Sequence, residues 1–321
     1  MIRPIPVAKT NDTLSLDRGT DHVHHHLGHA GGYSHLTGAL LFTLSFALVE
    51  AMAGYWSGSL ALLSDAGHML TDSTALGLAA LAAWLATRPP SPRHTYGLVR
   101  LEILAALFNA LLMFGLVAFI AIEAVDRFAQ PRQVQGGTVT VVAIIGLLVN
   151  LGVAWQLSHG EKTLNTRAAL LHVMGDMLGS IAALAAGLVI TFTGWMPIDP
   201  LLSLLVSGLI LVSAWRLLGE ALNVLLEAVP GHVDIEAVAQ DLAALDGVAE
   251  VRDLHIWTLS SGKVALSAHM DIHDLADWPR IMTESRQLLS SRHNIGHVTL
   301  QPELADNGSG RVVHILHPAQ P

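Results

Sequence analysis

From about residue 36 to residue 226 the chain is a succession of long apolar stretches separated by short polar breaks. Six of them, at roughly 36–56, 60–87, 100–128, 137–158, 166–193 and 200–226, reach the ~20 residues that a helix needs to cross a hydrocarbon core of about 30 Å. The breaks are chemically fit to end helices. Thr87–Gly97 (TRPPSPRHTYG) is proline-rich and cannot continue one; Phe128–Gly137 (FAQPRQVQGG) and Thr193–Pro200 (TGWMPIDP) act alike. In the last, Asp199 is expected as N-cap of the sixth helix and Pro200 as its first helical residue. Composition agrees: 52% of residues are hydrophobic and 13% charged, where a soluble domain carries about 25% charged residues. These features predict an α-helical membrane protein with six transmembrane helices.

Lys and Arg in the short loops set the expected orientation. The second-to-third and fourth-to-fifth loops hold Arg88, Arg93, Arg100, Lys162 and Arg167, whereas the opposite side holds Arg127 and Arg132. Both termini are therefore expected in the cytoplasm, as an even number of spans requires. Residues 1–35 are polar and end in DHVHHHLGHAGGYSH. They read as a disordered, His-rich tail that catches metal, with a solvated arm as the plainer alternative. An apolar signal-peptide core is absent near the start.

After EAVPGHVD the composition changes, and residues 229–304 read as a small soluble α/β domain. A helix (DIEAVAQDLAAL) leads into two strands (EVRDLHIWTL and KVALSAHMDI) joined by a Ser-Ser-Gly turn. A second helix (WPRIMTESRQLLSSRH) and a last strand (HVTLQPEL) follow. The order αββαβ predicts a ferredoxin-like sandwich. The segment 305–321 reads as a loose tail, which leaves 36–228 as the transmembrane domain.

A net charge of −9 without a basic patch excludes nucleic acid as a partner. The absence of cysteine excludes disulfides, thiolate metal sites and cysteine nucleophiles. Histidine, at 18 residues, favours imidazole-based metal chemistry. Two segments concentrate it where charge is least welcome. Leu62–Gly77 (LLSDAGHMLTDSTALG) carries His68 and Asp72, and Leu170–Gly179 (LLHVMGDMLG) carries His172 and Asp176. Residues i and i+4 share one helix face, about 6 Å apart along the axis. The two spans run in opposite directions, so side-by-side packing sets His68 level with Asp176 and Asp72 level with His172.

Each ionisable group at the bilayer centre costs about 2.5–3.5 kcal/mol. A dication offsets that cost by neutralising both carboxylates and occupying both imidazoles. Two histidines and two aspartates make a tetrahedral zinc set with bonds of roughly 2.0–2.2 Å. Imidazole suits zinc, cobalt or nickel better than magnesium or calcium, and copper(I) would require sulfur ligands. The plainer reading, hydrogen bonding between helices, accounts less well for two matched pairs than for one. Asp65 fits a buried hydrogen-bonding role as well as a functional one. Glu50, Asn109, Glu123 and Asn150 read as packing residues.

An intramembrane zinc metalloprotease would need a glutamate base beside a ligating histidine; Met69 follows His68 and Val173 follows His172. Four protein ligands also close the shell that a catalytic zinc keeps open, so an enzyme is not expected. A membrane-tethered metal sensor would have no use for ligands at mid-membrane.

The motifs SLALLSDAGHMLTD, HTYGLVRLEILAALFNALL, LHVMGDMLGS and DLHIWTLSSGKVALSAHMDI resemble the cation diffusion facilitators, in their zinc- and cadmium-exporting bacterial branch, over residues 36–303. The resemblance implies a homodimeric exporter in the bacterial inner membrane, with a cytoplasmic metallochaperone-like domain and exchange of metal for protons. His68, Asp72, His172 and Asp176 match the family's transport site, whose histidine-bearing form goes with zinc and cadmium and whose all-aspartate form goes with manganese. His94, beside Arg93, matches a loop position that can bind metal. His232, His269 and Asp271 match a cytoplasmic zinc site, with His255 and His297 as further candidates. His269 and Asp271 alternate with apolar neighbours and so share the polar face of one strand, which is equally what a solvated sheet face looks like. Zinc is then both cargo and regulatory ion, and no resident cofactor is implied. Metal binding requires neutral imidazole and ionised carboxylate and so releases protons. Histidine titrates near pH 6.5 in water, which makes His68 and His172 the expected proton carriers.

Overall fold

The computed structural model describes residues 30–159, 164–260, 262–305 and 312–314, and side chains within them except those of 30–42, 164–169, 171 and 312–314. The His-rich segment before residue 30 and Lys162 lie outside the described residues. Six long helices come first: α1 (Ala30–Ser57), α2 (Leu60–Ala86), α3 (Leu101–Ala129), α4 (Gly136–His159), α5 (Leu164–Thr193) and α6 (Ile198–Leu225). Among the described residues, α2 to α6 provide five helices long and apolar enough to cross a membrane, α5 from His172 onward. Their outward faces carry Phe119, Ile122, Leu148, Trp155, Phe192 and Trp215, all exposed. A water-soluble surface does not display apolar side chains on this scale.

Between the helices the contacts are made by small residues, which let backbones approach where lipid supplies no hydrophobic drive. A Cβ added to Gly136 of α4 would lie 2.8 Å from the Gly187 carbonyl oxygen of α5, and one on Gly187 would lie 3.0 Å from that of Gly136. Glycine at both positions is what lets these antiparallel helices touch. The link from α1 to α2 turns at Gly58, with φ +73°, in the left-handed region that glycine occupies without strain. Ser59 then caps α2, accepting a hydrogen bond from the Leu62 amide.

Helix α6 begins two residues earlier than expected, at Ile198, with Pro197 before it. Asp199 is therefore not its N-cap. The carboxylate turns away from its own helix to the start of α2, accepting from Ser59 Oγ at 2.6 Å, Leu60 N at 2.7 Å and Ala61 N at 3.3 Å. The free amides at a helix start carry partial positive charge, which suits an anion. Arg127 Nη1 adds a cation 3.3 Å from the same carboxylate and also donates to the Gly58 carbonyl.

The C-terminal part runs α7 (Ile235–Ala243), β1 (Val248–Ser260), β2 (Lys263–Ile272), α8 (Trp278–His293), β3 (His297–Leu304) and β4 (Val312–His314). Strands β1 and β2 form an antiparallel hairpin, β3 lies parallel to β2, and the sheet order is β3-β2-β1-β4. Parallel β2 and β3 need a crossover, and α8 supplies it. The segment expected as a loose tail instead contributes β4, which pairs in parallel with β1 from Glu250↔Val312 to Arg252↔His314. Without it the outer edge of β1 would keep a row of unpaired amides and carbonyls. Val238 and Leu242 of α7 and Ile281 and Leu289 of α8 pack with Leu266, Met270 and Ile272 in one buried core. Each such side chain contributes about 1.5–3 kcal/mol on burial.

Candidate metal centre

Helices α2 and α5 bring the two His-x-x-x-Asp pairs face to face. Across the pair, His68 Nε2 lies 3.8 Å from Asp176 Oδ1, and His172 Nε2 lies 3.3 Å from Asp72 Oδ2. Within each helix, His68 Nδ1 is 3.5 Å from Asp72 Oδ2 and His172 Nε2 is 3.9 Å from Asp176 Oδ2. The imidazole centroids are 6.2 Å apart. His68 Nδ1, Asp72 Oδ2 and Asp176 Oδ1 are buried and have no hydrogen-bond partner among the described residues. Three groups able to serve as metal ligands thus lie together, buried and without a hydrogen-bond partner among the described residues. Donors about 2.1 Å from a tetrahedral centre stand roughly 3.4 Å apart, close to the separations here. His68, Asp72 and Asp176 form the tighter set, with one ligand atom from each mutually within 4.8 Å. The His172 side chain is 53% exposed, against 16% for His68, and stands at the open side of the group.

The surroundings position α5 on α2. A Cβ on Gly179 would fall 2.3 Å from Asp65 Oδ1, so this approach requires glycine. Asp65 accepts from Ser180 Oγ at 3.2 Å, and Asn150 Nδ2 of α4 donates to the same hydroxyl at 3.3 Å. Glu50 of α1 is fully buried, with its carboxyl group close to that of Asp65. Glu123, read as a packing residue, pairs with Arg127 at 3.1 Å and Arg132 at 2.9 Å. Polar residues within spans are visible in the sequence one by one; that Glu50, Asp65, Asn150 and Ser180 form a single chain is not.

In the C-terminal domain the five named residues do not gather within one chain. His232, His255 and His297 are exposed, the first before α7 and the others on β1 and β3. The His297 ring stands 5.9 Å from that of Tyr96. His269 and Asp271 do join one network, but its centre is a guanidinium. Arg252 reaches Asp271 with Nη2 at 2.7 Å and Nε at 3.1 Å, and Nη2 also reaches Glu303 Oε2 at 2.7 Å. His269 Nδ1 lies 2.7 Å from Glu303 Oε1. Hydrogen bonds from His269 and Arg252 hold the Glu303 carboxyl below the usual glutamate range. The Asp271 carboxylate, with Glu303 behind it, pushes the Arg252 guanidinium up. Arg252 and Glu303 went unseen in the sequence because they lie on strands whose neighbours it does not reveal. His94 is exposed in its loop, with Nδ1 3.4 Å from Ser91 Oγ. Among the described residues, His68, Asp72 and Asp176 are the one group of His, Asp and Glu close enough to hold an ion.

Comparison with known families decides the class. A model described as the cation efflux transmembrane domain matches residues 36–226, and one described as the cytoplasmic domain of cation efflux proteins matches residues 230–305. The chain belongs to the cation efflux family. It is a multi-pass membrane transporter and not an enzyme. The zinc transporter ZitB of Escherichia coli is 43% identical to this cation efflux protein over 285 residues, covering 88% of this chain and 91% of that one. The metal cation efflux system protein CzcD of Cupriavidus metallidurans is 42% identical over 290 residues, covering 89% and 91%. A cadmium, cobalt and zinc/H(+)-K(+) antiporter of Bacillus velezensis is 38% identical over 292 residues, covering 88% and 92%. Each of these similarities spans both the helical and the C-terminal domain.

Proposed function

We propose that this protein exports zinc, with cadmium as a second cargo, from the cytoplasm in exchange for protons. The cargo is carried by His68, Asp72, His172 and Asp176 near the middle of the membrane. The observation that carries this reading is the meeting of α2 and α5 at His68 Nδ1, Asp72 Oδ2 and Asp176 Oδ1, all buried and unpartnered among the described residues, with His172 Nε2 3.3 Å from Asp72 Oδ2 at the exposed side. The zinc, cadmium and antiport functions in the relatives' names support it. Cytoplasmic zinc displaces protons from the inward-facing imidazoles, the helices rock, and protons from outside displace the zinc. One midplane site serves both states.

In this reading α1 is the sixth span, both termini are cytoplasmic, and the membrane is the bacterial inner membrane. Residues 1–35 form the His-rich tail, the last six of them joining the start of α1, 36–228 form the transmembrane domain and 229–304 a ferredoxin-like domain, to which β4 adds an edge strand from the segment 305–321. That domain pairs two copies into a homodimer. Zinc regulates it at His232, His269 and Asp271, with His255 and His297 as further ligands, and must displace Arg252 to reach Asp271. His94 is a possible loop ligand in the same sense.

Proteoliposomes loaded with a metal-sensing dye test the proposal. Zinc flux should require a pH gradient and drive a proton counterflux. Asp176→Ala should abolish both while the dimer still elutes intact, and unchanged flux would remove Asp176 from the site.

A further inference from the structure

One buried group takes no part in the metal centre. Glu50 is 0% exposed, and neither of its carboxyl oxygens has a hydrogen-bond partner among the described residues. Its polar neighbour is the carboxyl group of Asp65, itself 2% exposed: α1 runs antiparallel along α2 with Ala47 packed against Met69 and Gly54 against Leu62, which sets Glu50 level with Asp65. Among the described residues neither is ion-paired with a Lys, Arg or His. Two bare carboxylates in contact and out of water repel each other and lack donors. One proton between them replaces that repulsion with a charge-assisted O–H···O⁻ bond.

The donors nearby say which group keeps it. The Ser180 hydroxyl donates to Asp65 Oδ2, and Asn150 holds Ser180 in place from α4. Among the described residues no donor reaches either oxygen of Glu50. Asp65 is thus furnished as the ionised partner and Glu50 as the neutral acid.

We propose that Glu50 and Asp65 form a proton-binding site of their own, with the proton on Glu50 and donated to Asp65. The role given to it rests on the transport reading above. Asp65 stands three residues before His68, and Ser180 four after Asp176, so the pair lies about one helical turn from the metal centre. Of the charged groups around it, Asp176 on α5 acts on Asp65 across the helix contact. His68 stands three residues further along α2, His172 four residues before Asp176 on α5, and α4 brings the neutral Asn150 to Ser180. A dication held by Asp176 cancels that residue's negative charge. The proton of the pair then leaves to water as metal arrives and returns as metal departs, which is the sign that exchange requires.

Infrared difference spectra of the full-length protein in lipid, metal-free against zinc-loaded at neutral pH, test this. The metal-free protein should show a protonated-carboxyl stretching band that zinc removes. Glu50→Gln should lose the band, and Asp65→Asn should shift or lose it; if Glu50→Gln does not fold, the second variant decides. A wild type without the band, or a band left unaltered by the variant, overturns the proposal. Zinc flux in wild-type proteoliposomes is measured alongside. If flux is absent the transport reading fails, while the metal-free band still judges the proton site on its own.

Discussion

His172 differs from the other three residues of the metal centre in exposure and in distance. His68, Asp72 and Asp176 already form a compact set, so in the proposed transport site His172 is the residue whose chemistry can be changed with least disturbance to the helices. Replacing its imidazole by a carboxylate gives a harder, oxygen-richer site, which suits manganese better. His172→Asp should therefore lower the preference for zinc over manganese, measured as the ratio of the two fluxes in proteoliposomes. An unaltered ratio would place selectivity on other residues. The i,i+4 spacing was enough to put each His and Asp on one face. It carried no information on exposure, because that depends on what packs outside the pair. Asp199 marks the same boundary. Its place just before Pro200 at a helix start suggested a local cap, and the free amides at the start of α2 proved the stronger partner.

At the level of elements, the start of α2 is the most heavily tied point of the helical domain. Asp199 joins α6 to α2, and Arg127 of α3 ties the same carboxylate to the α1–α2 turn through Gly58. Both side chains are buried, and removing Asp199 leaves the Ser59 hydroxyl and the Leu60 and Ala61 amides without their acceptor and takes one of two carboxylates from Arg127. Asp199→Ala should destabilise the protein by about 3–5 kcal/mol, the usual cost of breaking a buried pair from one side. Thermal unfolding in detergent reads this as a lowered midpoint, and an unchanged midpoint would show that the network is dispensable. The helices themselves were legible in the sequence, since apolar length and proline breaks are local properties. Their contacts were not. Gly136 against Gly187 and Gly179 against Asp65 depend on how each helix is rotated about its own axis.

For the molecule as a whole, the C-terminal sheet carries a charge network that responds to pH. Glu303 sits below the usual glutamate range through its bonds from His269 and Arg252. A carboxyl group lowered in the folded state stabilises above its unfolded value, near 4.5, and that contribution disappears as pH falls through the lowered one. Acidification below about pH 4.5 should therefore loosen β3 from β2, seen as faster amide hydrogen exchange along β3. Glu303→Gln should flatten that dependence; an equally steep response in the variant would assign the transition to other groups. Edge strand β4 shows where reading the chain stopped short. Three residues in a polar tail have no pattern of their own, and only the free edge of β1 makes them a strand.

The amino-acid order alone determined the long apolar helices, the element order of the C-terminal domain, and the placing of His68 with Asp72 and His172 with Asp176 on shared faces. All of these follow from repeats a few residues long, which any helix or strand reproduces wherever it lies. Tertiary structure alone decided which polar groups meet across elements: Glu50 with Asp65, Asp199 with the start of α2, and Arg252 between Asp271 and Glu303. Those meetings are set by helix rotation and strand neighbourhood, which come from packing the whole chain and have no local period to betray them.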